Sequence, residues 1–185
     1  GEQVSFLLIN VISFLNLGLA GFVVAAIAAR FVFPAMSIEG RMMWLLRSSP
    51  LDVSRLFWSK YWIGTVPLLV VALPLIVITN IVLDASPFIL ILTTLTMIGV
   101  TFALTALALG FGALYPNYET ENVAEIPTSF GGLLFMMAAV TYLAGVIILE
   151  AWPVYLFLSS RMQGGEAEVG TASLVLGVSG AAALT

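Results

Sequence analysis

Three carboxylates, Glu119, Glu121 and Glu125, stand close together in the stretch YPNYETENVAEIP. Clustered carboxylates can hold a hard divalent cation. Their spacing does not fit a D-x-[DN]-x-[DN]-G calcium loop, so a solvated loop or a second partner contact is expected instead. The rest of the inventory excludes more than it offers. The sequence has no histidine and no cysteine. That removes the commonest general base, the commonest metal ligand, thiolate sites and any disulfide framework. No G-x-x-x-x-G-K-[ST] phosphate loop, no Ser–His–Asp set and no H-E-x-x-H motif occurs. The chain is therefore expected to be no enzyme and to bind no cofactor or metal of its own.

The second group of reactive residues is basic. Five of the six Lys and Arg residues, Arg30, Arg41, Arg47, Arg55 and Lys60, fall in the stretch RFVFPAMSIEGRMMWLLRSSPLDVSRLFWSKYW, residues 30–62. The cluster is too small for a nucleic-acid surface. It lies between long apolar runs, as a cytoplasmic loop of a membrane protein does.

Composition supports that class. Of 185 residues, 61% are hydrophobic and 9% charged. A soluble domain carries about 25% charged residues. Water could not cover so apolar a surface, so an integral membrane protein is expected. The chain starts and stops close to apolar runs, and is expected to be a fragment of a longer one.

Charge-free runs place the spans. A spanning helix needs about 20 mainly apolar residues. The expected fold is all-α: a polytopic transmembrane helix bundle with a cytoplasmic interfacial helix pair. It forms a single transmembrane domain over residues 1–185. Spans are expected at about 5–33, 61–83, 88–114 and 127–149, with a truncated fifth at 169–185 and an interfacial segment at 34–60. No run alternates apolar and polar residues as a barrel strand would. On this reading no ionisable group lies deep in a span, and Glu150 marks the end of the fourth. Buried ionisable residues mark proton relays in lipid, so their absence argues against one.

The Lys/Arg asymmetry puts residues 30–60 in the cytoplasm. The loop at 115–126 then lies on the same side, although it has no basic residue to support this. Gly21, Ala25 and Ala29 recur every fourth residue in the first span. Such a stripe suits close helix packing, although chance is a fair alternative in a chain rich in Ala and Gly. Pro34 ends or bends that helix. Pro67 and Pro74 predict a kink in the second. Thr93, Thr94, Thr96, Thr101 and Thr105 enrich the third, and packing is their first reading.

The interfacial segment reads as two short helices. In the first, Ile38, Met42, Leu45 and Leu46 share a face, opposite Gly40, Arg41, Arg47 and Ser48. Trp44 falls among the polar residues. Ser49 can cap a second helix, with Pro50 at its first position and Asp52 near the free N–H groups. Asp52, Arg55 and Ser59 then face away from Leu51, Phe57 and Trp58. Periodicity alone also fits an amphipathic linker resting on the bilayer.

Pro34, Ser37, Glu39, Gly40, Arg41, Trp44, Ser49 and Pro50 resemble a pattern in permease subunits of bacterial ATP-binding-cassette exporters related to the type-2 permeases. Pro116, Asn117, Tyr118 and Asn122 resemble an inner loop of the same family. The resemblance covers residues 30–132. It implies a permease of the bacterial cytoplasmic membrane, in contact with lipid, a cytoplasmic ATPase subunit that binds the ATP, and a second permease copy. It also implies that residues 30–62 hold the coupling helix. Candidate ATPase contacts are Glu39, Gly40, Arg41, Trp44, Arg47, Pro50 and Arg55. The alternative is a membrane scaffold or assembly protein docking a cytoplasmic partner on residues 34–60. An intramembrane lipid-processing enzyme is a third reading.

Overall fold

The computed structural model describes residues 2–40, 53–116 and 123–162. The fold is all-helical, with no strand among the described residues. The helices are α1 (Glu2–Phe31), α2 (Pro34–Gly40), α3 (Val53–Val82), α4 (Pro87–Leu114), a 3-10 helix (Val123–Thr128) and α5 (Phe130–Met162). Four contain stretches long and apolar enough to cross a membrane: Val4–Phe31, Ser54–Val82, Pro87–Leu114 and Phe130–Ser159. The expected fifth span, 169–185, lies outside the described residues.

The chain divides into two compact units. The first is built from the described parts of Gly1–Gly21, Val71–Val100 and Tyr142–Thr185; the second from those of Phe22–Val70 and Thr101–Thr141. Each long helix contributes a segment to each unit.

In the first unit α5 lies close against α1. A β-carbon on Gly18 would stand 2.7 Å from Ile147 Cδ1, and one on Gly21 2.6 Å from Leu143 Cδ2. Phe14, Leu17, Ile76, Ile89, Leu92, Val100 and Val146 fill the core. Phe88 stacks on Phe157 with ring centroids 4.1 Å apart. The α3–α4 turn has a specific cap. Asp84 takes a positive φ of 53°. Its N–H bonds Ile81 O at 3.1 Å, and Ala85 N–H bonds Asn80 O at 3.0 Å. That pairing is a Schellman motif, which satisfies carbonyls that a helix end otherwise leaves free. Pro87 then opens α4, where its missing N–H costs nothing.

In the second unit α1 ends at Phe31 and Pro34 starts α2. Phe33, fully buried, stacks on Phe135 at 6.1 Å. Its backbone lies directly against Gly112. Ala25 is fully buried and Ala29 nearly so. The α2 helix packs against the 3-10 helix. Gly112→Ala is expected to lower thermal stability in detergent by about 1–3 kcal/mol, because a backbone carbonyl cannot rotate away. Gly110 has nothing within 4 Å of a β-carbon. Gly110→Ala is expected to be neutral or to gain about 0.5–1 kcal/mol. Equal losses from the two substitutions would contradict the close approach.

Three helix boundaries are set by the structure. First, the second interfacial helix, expected to run into the second span at Tyr61, forms one continuous helix with it from Val53, which also runs through Pro67 and Pro74. Thirty residues rise about 45 Å, well beyond a hydrocarbon core of about 30 Å. Second, α5 begins at Phe130 rather than Pro127. Pro127 sits inside the 3-10 helix, and Ser129 caps α5, accepting a hydrogen bond from Gly132 N–H at 3.4 Å. Third, α5 runs past residue 149 to Met162 with Pro153 inside it. Val154, Phe157 and Leu158 are buried on one face, and that packing outweighs the hydrogen bond that Pro153 cannot donate.

Candidate functional site

The site builds from the first turns of α3. Residues 53–62 read VSRLFWSKYW, and the described residues among them carry two cations and four large aromatic rings. Tyr61 anchors the group. Its hydroxyl donates to Phe102 O on α4 at 3.2 Å, and its ring stacks on Phe102 at 6.3 Å. Trp58 meets the Tyr61 ring edge-on at 5.7 Å, and Trp62 meets Phe102 the same way at 6.1 Å. Such edge-to-face pairs hold rings more firmly than area alone. Even so, Trp58 keeps 58% of its surface exposed and Trp62 keeps 50%. Rings fixed in place yet exposed suit a headgroup boundary or a partner surface.

Lys60 points the other way along the unit. Its ammonium donates to Ala35 O in α2 at 3.1 Å. A short helix is thereby tied to the start of a long one. Gly64, one turn further, lets α3 approach Val32 and Thr105. Arg55 is exposed one turn before Ser59. Between α3 and α4 lies an open groove of about 400 Å³, with Ser54, Phe57, Trp58 and Tyr61 on one wall and Ala106, Leu109 and Gly110 on the other. Its lining is apolar apart from the Ser54 and Tyr61 hydroxyls, so it offers contact area rather than chemistry.

The candidate residues fall unevenly on this frame. Glu39 and Gly40 form the last turn of α2. Arg55 lies on α3, and Pro116 is half-buried just after α4. Gly21 lies in the first unit against Leu143. Arg41, Trp44, Arg47, Pro50, Asn117, Tyr118 and Asn122 lie outside the described residues, as do Glu119 and Glu121. Among the described residues no group of three or more carboxylate, imidazole or thiol side chains could hold a metal ion.

One family model, described as "Putative ATP-binding cassette", matches residues 2–184. The chain belongs to that family. The match spans all four long helices, so the family member described here is an integral membrane protein related to ATP-binding-cassette transport. Its sequence has no phosphate loop of the G-x-x-x-x-G-K-[ST] type, although the family description names a nucleotide-binding cassette. No curated protein and no solved structure matches this family member.

The sequence reading missed Glu150. It was expected at the end of a span, with no ionisable group deeper. Instead Glu150 is 0% exposed, within the apolar segment Phe130–Ser159. Thr96 Oγ1 on α4 donates to its Oε1. A signal was present: Glu150 continues the buried spacing of Leu143 and Val146, and Val154 and Phe157 carry it on beyond Pro153.

Proposed function

We propose that the protein is the transmembrane permease subunit of an ATP-driven exporter. A separate cytoplasmic ATPase hydrolyses the ATP, and this chain turns its motion into substrate movement. The observation that carries the reading is the continuity of α3. A helix whose first turns bear Arg55, Trp58 and Lys60 runs without a break into a span. A push on those turns therefore reaches the membrane segment along one helix, whose ladder lacks only the bonds that Pro67 and Pro74 cannot donate. Membership in an ATP-binding-cassette family supports the ATPase as the source of the push, and the missing phosphate loop supports a separate subunit.

On this reading residues 30–60 face the cytoplasm of a bacterium. The ATPase docks on Glu39, Gly40, Arg41, Trp44, Arg47, Pro50 and Arg55, with Pro116, Asn117, Tyr118 and Asn122 as a second contact. Ile63, Val70 and Ile148, each at least 66% exposed, meet lipid or a second permease copy. The chain performs no catalysis itself.

Co-purification with the soluble ATPase tests the reading. Glu39→Lys combined with Arg47→Glu reverses two charges at the proposed contact. Opposed like charges at an interface cost several kcal/mol. ATPase recovery is expected to fall at least about tenfold, with membrane insertion unchanged. Undiminished recovery would rule out this docking surface. Partner binding indifferent to nucleotide would favour the scaffold reading instead.

A further inference from the structure

We propose that Glu150 is a proton-binding site inside the first unit, carrying its proton on Oε2 while it is buried. Oε1 accepts a hydrogen bond from Thr96. Oε2 is buried and has no hydrogen-bond partner among the described residues. Glu150 is fully buried, and Leu143, Val146 and Val154 on the same helix are buried with it.

Among the described residues, the segments packed in this unit offer no charge close to Glu150 to balance an ionised carboxylate. Residues 4–21 of α1, 71–82 of α3 and 87–100 of α4 contain no Asp, Glu, Lys, Arg or Tyr. On α5, Tyr142 is two turns away, with a buried hydroxyl that also lacks a partner. Tyr155 is 65% exposed. Asp84 lies exposed in the α3–α4 turn. None of these is a cation; Arg161, the cation of α5, lies three turns beyond Glu150, about 16 Å along the helix. An ionised carboxylate without a partner is strongly disfavoured in such a setting, and neutralisation is the cheapest remedy. A proton on Oε2 removes the charge and leaves Oε1 free to accept from Thr96.

The same cluster favours a proton over a metal ion. Asn80 Nδ2 donates to Thr93 Oγ1 at 2.8 Å, and Thr93 Oγ1 in turn donates to Ile89 O. The hydroxyls of Thr93 and Thr96 are thus committed as donors, to Ile89 O and to Glu150. Glu150 is the one carboxyl in this cluster, so no multi-carboxylate cage forms. Release of the proton would place a bare charge against α4.

The inference stands apart from the permease reading, because it is tested without an ATPase. Infrared difference spectra of the whole chain in lipid are compared for wild type, Glu150→Gln and Thr96→Val. At neutral pH a protonated-carboxyl band is expected in wild type and absent in Glu150→Gln. Thr96→Val is expected to move that band to higher frequency, since the carbonyl oxygen loses its donor. Identical spectra for wild type and Glu150→Gln, or an unmoved band in Thr96→Val if the glutamine variant does not fold, would overturn the assignment.

Discussion

On the permease reading, replacing Ser59 with proline is expected to weaken coupling between the ATPase and the membrane segments while leaving the ATPase bound. Ser59 lies seven residues into α3 and is exposed, so proline meets no core packing there. Its ring instead clashes with the carbonyl of Arg55 and removes one ladder bond, at about 3 kcal/mol. Downstream, Tyr61 keeps its bond to Phe102, and Lys60 keeps its bond to Ala35. The span therefore stays packed, and only its link to the first turns is cut. Spin labels at Val66 and Val140, both about half exposed, report the membrane segments of the second unit. In wild type the distance between them should change on ATP binding by the partner. In Ser59→Pro the change should shrink about ten- to hundredfold in population, the range of a coupling free energy of 1–3 kcal/mol. ATPase co-purification should stay near wild type, and Ser59→Ala should behave as wild type in both respects. An intact ATP-dependent change in the proline variant would mean that force reaches the span by another route.

The long helices could be read from the sequence because lipid imposes a coarse rule. A run without charge and of sufficient length has to span. That rule does not place the helix ends. Arg55 and Lys60 made Tyr61 look like a boundary, yet a long cationic side chain can leave its helix and find a carbonyl, as Lys60 does with Ala35. Pro153 looked like a stop, yet three buried residues beyond it hold the helix together. Glu150 looked like a border residue for the same reason. Charge marks a membrane edge only when the charged group can reach water, and burial depends on neighbours distant in sequence. Thr96 lies 54 residues away, and nothing local to Glu150 announces it. The proposed docking residues pose the opposite difficulty. Their motif is local and was visible at once, while most of its second half lies outside the described residues.

A large stability effect is expected at Asn10. This side chain is 1% exposed and joins α1 to the α3–α4 turn. Its Oδ1 accepts from the backbone N–H of Ser86 at 3.0 Å, and its Nδ2 donates to Phe6 O at 2.8 Å. Ser86 immediately precedes α4, so its N–H is one that the helix cannot satisfy. Pro87 has none to offer. Asn10→Leu fills a similar volume and leaves the N–H of half-buried Ser86 without its acceptor in the turn. In water such a group finds solvent; inside an apolar helix packing it does not. A loss of about 2–3 kcal/mol is expected, the upper range for an orphaned buried donor. It should appear as a lower unfolding temperature in detergent. Ser86→Ala is the matching control. It keeps the backbone N–H and removes only a hydroxyl that has no partner among the described residues. That change should lie within about 0.5 kcal/mol of wild type, because an unmade bond cannot be lost. If both variants cost the same, the loss comes from disturbed packing around the turn, and the Asn10–Ser86 bond is not what holds α1 to α4.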